Sequence, residues 1–461
     1  MTTMTGPVDR SRMPVPGPVP PTRFPVVQAG RLSNGLALRT AEHPGPPVAV
    51  VRLTMPVGSA SDPADGHGLA ALTADMLDEG TVERSGRELH EALDGIGARL
   101  GIEVGPDSTT VTLSTVSQHL VEGLGLVAEL VSRPRFDPAD VGRVRDLRRS
   151  RVQQLRAVSS AAADRVFLET LFPNHPYGHL GIGTDASLAS LTAAQVTAFH
   201  DDAYQLGSAT LIAVGALTHE ELGDAAERTF GVLTVRPQAA EAVVVPRDLG
   251  VVGPPASRLV LVDRPGAVQS ELRIGHVAVA RDTPDYHALQ VLNVVLGGQF
   301  VSRLNQRLRE EKGYTYGVRT GFDCRRAPGP FALHGSVQAD ATAECVQEVI
   351  SQMAAIGGDR PVTAPELDMA CAALTRGFAR GFETAGQVAR GVASLVLHDL
   401  PANYYERFVP DVEAVDAAAV TAAAVAHLRA EEAVAVVVGP AEALVTELTA
   451  LGLGEPVLVD A

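Results

Sequence analysis

The sequence holds few cysteines, and they point away from a disulfide-bonded fold. Only three occur in 461 residues (Cys324, Cys345 and Cys371), and none belongs to a Cys-x-x-Cys pair. An odd number of cysteines in so long a chain does not suggest the disulfide framework of small secreted domains. We therefore expect three free thiols that serve as small apolar side chains in a reducing compartment.

Long apolar runs are missing as well. No window approaches the roughly 18 apolar residues that a membrane-spanning helix needs. The N-terminal stretch, residues 1–28, is rich in proline and lacks the apolar segment of a secretory signal. Its composition predicts a disordered or extended tail over 1–28. Together these absences predict a cytoplasmic protein without a membrane partner.

Basic residues are fewer than acidic residues in this chain. The chain has 38 Lys and Arg against 54 Asp and Glu, a net charge of −16. Phosphate backbones and acidic membranes would repel such a surface, so nucleic acid is excluded as an expected partner. Basic or neutral extended peptides remain acceptable partners. The length itself is too great for one ordinary core and predicts two or more domains.

An internal repeat organises the chain. The strand-like segment VVRLTMPV from Val50 is matched by LRIGHVAV from Leu272, 222 residues later. The helical pattern beginning at Asp140 recurs at Glu366, 226 residues later, and the buried-strand runs LIAVGA and VAVVVG lie 223 residues apart. Three unrelated local patterns at nearly one offset indicate a tandem duplication.

The composition between the repeats predicts the domain boundaries. Residues 236–256 contain four prolines and little periodicity, which is typical of a linker. We therefore predict an N-terminal domain over 29–235 and a C-terminal domain over 257–461. Strands and helices occur in separate blocks within each half. This order predicts an α+β fold, a sheet covered by helices that is built twice.

Three motifs resemble those of the pitrilysin/insulinase zinc metallopeptidases, a family that includes the mitochondrial processing peptidases. They are GLAALTADMLDEGT (residues 68–81), HPYGHLGIGT (residues 175–184) and VLGGQFVSRLNQRLREEKGYTYGVRTGF (residues 295–322). The resemblance covers nearly the whole chain from about residue 30 onward. It implies a half-clam of two domains that pairs with a second chain to enclose a chamber.

The metal site is the main departure from the family. Active members carry an inverted His-x-x-Glu-His on the first helix, where histidines four apart share one face, and a glutamate on a later helix. In the family register, the two histidine positions hold Ala71 and Asp75, and the glutamate position holds Ala74. The later ligand falls at about Arg151, which cannot bind a metal. We therefore expect no zinc in this chain.

Other histidines do not supply a substitute site. The candidates are His67, which precedes the first helix, His175 and His179, which flank a Pro and a Gly, and the His-Glu pairs at His90 and His219. None has a second histidine four residues away on a helix. We interpret them as surface or capping residues.

Arg309 and Tyr316 stand where the family's C-terminal-type half supplies an arginine and a tyrosine. The resemblance implies that both bind the substrate backbone near the scissile bond and help to stabilise the oxyanion. A charged and a phenolic donor suit that task. The alternative is structural, with Arg309 solvated on a helix and Tyr316 packed in a strand. Tyr314 is the rival tyrosine, because in a strand it would point to the same face as Tyr316. We therefore expect both to border the chamber and Tyr314 to bind substrate, while the family register selects Tyr316.

Gly297 and Gly298 stand where non-catalytic processing-peptidase subunits carry a glycine-rich loop that contacts substrate. They do not form a nucleotide-binding motif. A helix C-cap followed by a tight turn is an equally good interpretation.

These observations predict a non-catalytic subunit of a heterodimeric zinc metallopeptidase, with zinc held by a homologous partner that carries an intact His-x-x-Glu-His. This chain would need no cofactor of its own and would supply Arg309 and Tyr316 in trans to peptide substrates. Two alternatives stay open: a structural core subunit, as in the respiratory complexes that share this fold, and a peptide-binding homodimer without catalysis.

Overall fold

The computed structural model describes residues 23–235 and 257–459, which contain two six-stranded sheets. The strands of the first sheet are β1 (Val27–Arg31), β2 (Ala37–Glu42), β3 (Val48–Met55), β4 (Arg99–Val104), β5 (Thr109–Val116) and β6 (Thr210–Gly215). Those of the second are β7 (Leu259–Asp263), β8 (Gln269–Val277), β9 (Val318–Phe322), β10 (Pro330–Gln338), β11 (Val434–Gly439) and β12 (Val457–Val459).

Helices fill the connections between the strands. In the first half they are α1 (Leu69–Asp75), α2 (Gly86–Gly95), α3 (Leu120–Ser132), α4 (Pro138–Arg156), α5 (Ser159–Leu171), α6 (Asp185–Ser190), α7 (Ala193–Ala203) and α8 (His219–Thr229). In the second half they are α9 (Tyr286–Asn293), α10 (Arg303–Asn305), α11 (Thr342–Ile356), α12 (Ala364–Thr375), α13 (Ala385–Leu397), α14 (Tyr404–Glu413), α15 (Ala417–His427) and α16 (Ala441–Thr449). Two π-helical turns, Val294–Gly298 and Gln306–Glu311, extend α9 and α10.

The two sheets repeat one strand order. It is β1-β2-β6-β3-β5-β4 in the first sheet and β12-β7-β11-β8-β10-β9 in the second. In both, the central strand (β6 or β11) is parallel to one neighbour and antiparallel to the other, and all six of its residues are buried. The segments matched in sequence thus occupy equivalent places, which confirms the predicted α+β fold.

A helix from each half covers a sheet of the other half. One face of the first sheet packs against α13, through Val50, Ile212 and Val214 on the strands and Val388 and Val392 on the helix. The corresponding face of the second sheet packs against α5. The opposite face of the first sheet packs against α2, α3 and α8, and that of the second against α9, α11, α15 and α16. This exchange joins the two halves through buried apolar surface on both sheets.

Of the predicted tail and linker, only residues 23–28 belong to the described part of the chain. Of the predicted tail 1–28, residues 1–22 lie outside the described part of the chain, as does the whole predicted linker 236–256. Phe24 is buried against Phe382 and Tyr405, and β1 begins at Val27, so the folded chain starts before residue 29. No helix in the described ranges is long and apolar enough to cross a membrane.

Candidate functional site

Helix α1 carries the positions at which the family binds its metal. Ala71 and Ala74 are buried in the protein, and Asp75 ends the helix with an exposed carboxylate. Positions 71, 74 and 75 fall on one side of the helix because they are separated by three and four residues. Two of the three side chains on this face therefore offer only a methyl group.

The remaining carboxylate on this face is already paired. Arg148 on α4 donates a hydrogen bond from Nη1 to Asp75, and its Nη2 lies 3.3 Å from the carbonyl oxygen of Gly181. Arg151 lines the same surface depression of about 450 Å³ and is exposed, with Nη1 3.5 Å from Oε1 of Gln154. Zinc needs thiolate, imidazole or carboxylate ligands. One paired carboxylate and two guanidinium groups do not fit it.

The nearest histidines pack with each other. The rings of His67 and His179 stack in parallel with centroids 4.0 Å apart, and His179 Nε2 lies 3.0 Å from Oδ2 of Asp62. The same Asp62 carboxylate accepts hydrogen bonds from the backbone of Gly68 and Ala70 at the start of α1. Burial, followed by repulsion from His179, lowers the pKa of His67. Across the described ranges, no three His, Cys, Asp or Glu side chains are arranged to hold a metal ion.

Arg309 lies on the π-helical turn Gln306–Glu311, where its guanidinium is held on two sides. Its Cζ lies 3.2 Å from the ring centroid of Phe300, a cation–π contact. Its Nε and Nη2 donate hydrogen bonds of 2.8 and 2.5 Å to Oε1 of Glu310. The side chain is only 12% exposed, and Nη1 has no hydrogen-bond partner among the described residues. Arg309 is therefore not the freely solvated arginine of the structural alternative.

Tyr316 projects from a short loop that is fixed on both sides. Its exposed fraction is 93%, the highest among the large apolar residues of the described chain. The Thr315 hydroxyl donates a 2.7 Å hydrogen bond to the carbonyl oxygen of Ser336. Buried Asn305 accepts from the backbone N–H of Val318 and donates to its carbonyl oxygen, both at 2.9 Å. The loop thus holds the phenol of Tyr316 in solvent, where its hydroxyl is available to another molecule.

The predicted strand through Tyr314 and Tyr316 is wrong. β9 begins only at Val318, because the hydrogen bonds of Thr315 and Asn305 hold residues 313–317 as a loop. The Tyr314 hydroxyl donates a 2.7 Å hydrogen bond to Oε2 of Glu344, which raises the pKa of the tyrosine. Its ring packs against the core of the second half. The two tyrosines therefore have different surroundings, and Tyr316 alone is free.

Gly297 and Gly298 end the π-helical turn that follows α9. A Cβ on Gly297 would lie 2.6 Å from Cγ2 of Thr320, and one on Gly298 would lie 2.5 Å from Nδ2 of Asn293. Close packing of the turn against β9 therefore accounts for Gly297, and close packing against the end of α9 accounts for Gly298. The chain leaves the turn in an extended conformation at Gln299. Substrate contact by these glycines stays a prediction.

Two family models match the chain next to each other. Residues 39–185 match Insulinase (Peptidase family M16), and residues 190–374 match Peptidase M16 inactive domain. The chain belongs to the M16 (insulinase) peptidase family. The first M16 match contains α1 and its alanine face, and the second contains Arg309 and Tyr316.

Relatives across the family share most of the chain. An "uncharacterized zinc protease" of Mycobacterium tuberculosis is 27% identical over 430 residues, which are 93% of this chain and 96% of that protein. A probable mitochondrial-processing peptidase subunit beta of Schizosaccharomyces pombe is 23% identical over 60% of each chain. The crystal structure of an M16 inactive domain from Pseudomonas fluorescens superposes with a TM-score of 0.81, at 27% identity over 90% of this chain and 98% of that one.

Sequence reasoning missed two residues that shape the M16 motif of the second half. Phe300 covers the Arg309 guanidinium, and Asn305 fixes the loop that carries Tyr316. The signal for Phe300 was an aromatic residue beside an apolar one, Val301, in an otherwise polar stretch. Asn305 gave a weaker signal, since only its burial reveals that both ends of its amide are used.

Proposed function

We propose that this M16 chain is the non-catalytic subunit of a heterodimeric zinc metallopeptidase. Its homologous partner carries the intact His-x-x-Glu-His and the metal. This chain closes the chamber and presents Arg309 and Tyr316 to the peptide bound in the partner. The observation that carries the proposal is the contrast between a metal face without ligands and a fixed loop that exposes Tyr316.

The chemistry of the α1 face supports the absence of catalysis in the isolated chain. A hydrolytic site needs a base beside a bound water, and position 74 offers a methyl group instead of a carboxylate. The Arg148 guanidinium places a fixed positive charge next to Asp75, where it repels a divalent cation. In the partner, zinc supplies the activated water and polarises the scissile carbonyl.

Arg309 and Tyr316 supply donors to that reaction. The phenol of Tyr316 is free to donate to a substrate carbonyl oxygen. The Nη1 group of Arg309 is a second donor without a partner, and the other nitrogens of the guanidinium are held by Glu310. Because Nη1 is buried, the side chain or its neighbours must move before it reaches a substrate. As water attacks the carbonyl carbon, negative charge develops on the carbonyl oxygen. Donors fixed in advance stabilise this oxyanion more than the neutral carbonyl, which lowers the barrier.

Peptide is held by backbone pairing in this proposal. An extended substrate joins the edge of a partner sheet as an added strand, so that main-chain hydrogen bonds give affinity and side-chain pockets give preference. Closure of the chamber by this chain admits short or unfolded peptides and excludes folded proteins.

A pair of matched tyrosine variants tests the proposal. The chain is mixed with a homologous chain from its own source that has an intact His-x-x-Glu-His, and peptide hydrolysis is measured. Tyr316→Phe removes only the free phenol hydroxyl and is expected to lower kcat about 10- to 100-fold. Tyr314→Phe removes the hydroxyl that is bonded to Glu344 and is expected to change kcat by less than about threefold. Assembly is followed by gel filtration. Equal rates for both variants in an assembled complex would show that Tyr316 is structural.

A further inference from the structure

The face of the first sheet that α13 covers changes from apolar to cationic along the strands. Directly paired residues share a face, so the register defines rows across β1, β2, β6 and β3. The row under α13 is apolar: Val27, Ala41, Val214 and Val50. The next row is Ala29, Arg39, Ile212 and Arg52, and the one after it is Arg31, Ala37, Thr210 and Thr54. Arginines and threonines therefore emerge where the helix ends.

Beyond α13 this face forms an open trough of about 860 Å³. The end of the helix and the residues after it supply one apolar wall, with Val392, Leu395 and Leu400. The Thr54 side chain lines the floor; the residue is buried, and its hydroxyl has no hydrogen-bond partner among the described residues. The trough offers a polar floor beside an apolar wall.

The charge of the trough is mainly positive. Arg31, Arg39 and Arg326 line it, and within the described part of the chain none of them forms an ion pair. Two carboxylates line it as well. Asp107 is buried and already accepts hydrogen bonds from the Tyr177 hydroxyl, at 2.5 Å, and the Arg326 backbone, at 3.0 Å. Asp399 is exposed after α13. Three unpaired guanidinium groups thus face one available carboxylate, in a protein of net charge −16.

The second sheet carries a differently paired arginine at the position equivalent to Arg52. There Arg273 pairs with Glu271 at 2.5 Å and with Asp164 on the covering helix α5 at 2.6 Å. In the first sheet the sixth residue of the covering helix is Arg390, in place of the sixth residue of α5, Asp164. The positive charge of Arg390 lies close enough to oppose that of Arg52. The second sheet thus neutralises Arg273 with two carboxylates, whereas Arg52, which does not line the trough, has only a 3.4 Å contact with Glu103.

We infer that the trough binds an extended peptide segment rich in Asp or Glu. Its carboxylates pair with Arg31, Arg39 and Arg326, and its apolar side chains pack on the wall formed by the end of α13. Planar guanidinium groups suit carboxylates because they donate parallel hydrogen bonds. This site goes beyond the proposed function, since it lies on the first sheet and involves neither Arg309 nor Tyr316. It is present in the chain with or without a partner subunit.

Fluorescence anisotropy on the full-length chain tests the inference. A labelled Glu-rich peptide is compared with the peptide in which Gln replaces each Glu. We expect binding of the Glu-rich peptide, weakened by added salt. The double substitution Arg39→Gln and Arg326→Gln is expected to weaken it about tenfold or more. Arg39→Lys, which keeps the charge, is expected to weaken it less.

Two controls separate this result from unfolding and from general charge effects. Arg99→Gln and Arg151→Gln remove the same charge from exposed positions outside the trough and are expected to leave the affinity unchanged. Circular dichroism checks that each variant is folded. Amidation of the peptide's C-terminus is expected to have little effect, because side-chain carboxylates carry the interaction. Equal affinity for the Glu and Gln peptides, absence of binding at low salt, or an unchanged affinity in the double variant would overturn the inference. None of these measurements depends on peptidase activity.

Discussion

The two halves of the molecule share one plan and differ in how they treat charge. Each central sheet carries a buried arginine beneath a helix from the other half. Arg273 is 4% exposed and has two carboxylate partners, whereas Arg52 is 10% exposed and has only a 3.4 Å contact with the exposed Glu103. Burial, opposed by Glu103 and reinforced by Arg390, lowers the pKa of Arg52. The two copies of a duplicated fold thus keep the same strand order while their polar residues take on different roles.

The same divergence separates the two M16 motifs. In the first half, the helix that holds the metal in active members presents Ala71 and Ala74, with Asp75 paired to Arg148. In the second half, the loop after α10 keeps Tyr316 exposed and holds Arg309 against Phe300. The first half keeps the helix of the metal site without the metal ligands. The second half keeps hydrogen-bond donors without an activated water. A partner chain would supply what both lack.

The largest expected effect is on turnover and concerns the second half. In the complex with the zinc-bearing partner, Arg309→Ala is expected to lower kcat about 100-fold or more, roughly 3 kcal/mol of barrier, because it removes a donor to the oxyanion. Arg307→Ala is the matched control, since Arg307 lies on the same turn and pairs with Glu311 and Glu348. Rates are measured at equal zinc content. A similar loss in both variants would mean that the turn, and not Arg309 itself, matters.

The next largest effect compares the two buried arginines. Arg273→Met is expected to lower the free energy of unfolding by about 3 kcal/mol, because it leaves the largely buried Glu271 without its partner. Arg52→Met keeps a similar apolar stem and leaves only the exposed Glu103, so the expected loss is below about 1 kcal/mol. Urea denaturation at neutral pH measures both. Equal losses would remove the distinction between the two sheets.

A smaller effect depends on pH and again belongs to the second half. Hydrogen bonds from Arg303, together with those from Thr363, lower the pKa of Glu366 to about 2. Because the folded-state pKa is below the unfolded value, this stabilisation is present above about pH 4.5 and is lost as the pH falls toward 2. Glu366→Gln is expected to cost about 2 kcal/mol at neutral pH. The difference from the wild type should shrink as the pH falls, and a constant difference would contradict the assignment.

The smallest expected effect comes from a substitution that gives the first half a residue found in the second. Arg390→Asp gives the first sheet the residue that α5 contributes to the second, so Arg52 gains a carboxylate partner. We expect a gain in unfolding free energy of about 1 kcal/mol together with weaker binding of the Glu-rich peptide. Denaturation and anisotropy measure the two outcomes. Destabilisation would show that Arg390 does not face Arg52 as Asp164 faces Arg273.

Much of the fold could be predicted from the sequence because apolar periodicity reports local structure directly. The paired segments at Val50 and Leu272 became the equivalent strands β3 and β8. The exchange of α5 and α13 could not be predicted. Periodicity indicates which face of a helix is apolar, but not which sheet that face will contact.

The sequence positions of the candidate site residues could be predicted, but their contacts in the folded chain could not. The family register gave Ala71, Ala74 and Asp75, yet the partner of Asp75 is Arg148, whose place depends on how α4 crosses α1. The strand expected through Tyr314 and Tyr316 is replaced by a loop, which hydrogen bonds of Thr315 and Asn305 hold in place. Such side-chain contacts over long sequence distances leave no periodic trace.

The central claim is tested most directly by measuring metal content and peptide hydrolysis. Both are measured on the purified chain alone and after mixing it with a homologous chain that carries His-x-x-Glu-His. The account predicts that the isolated chain holds no stoichiometric zinc and cleaves no peptide. It predicts that the mixed complex contains zinc in the partner and hydrolyses peptides faster than the partner alone. Stoichiometric zinc together with peptide hydrolysis in the isolated chain would contradict it.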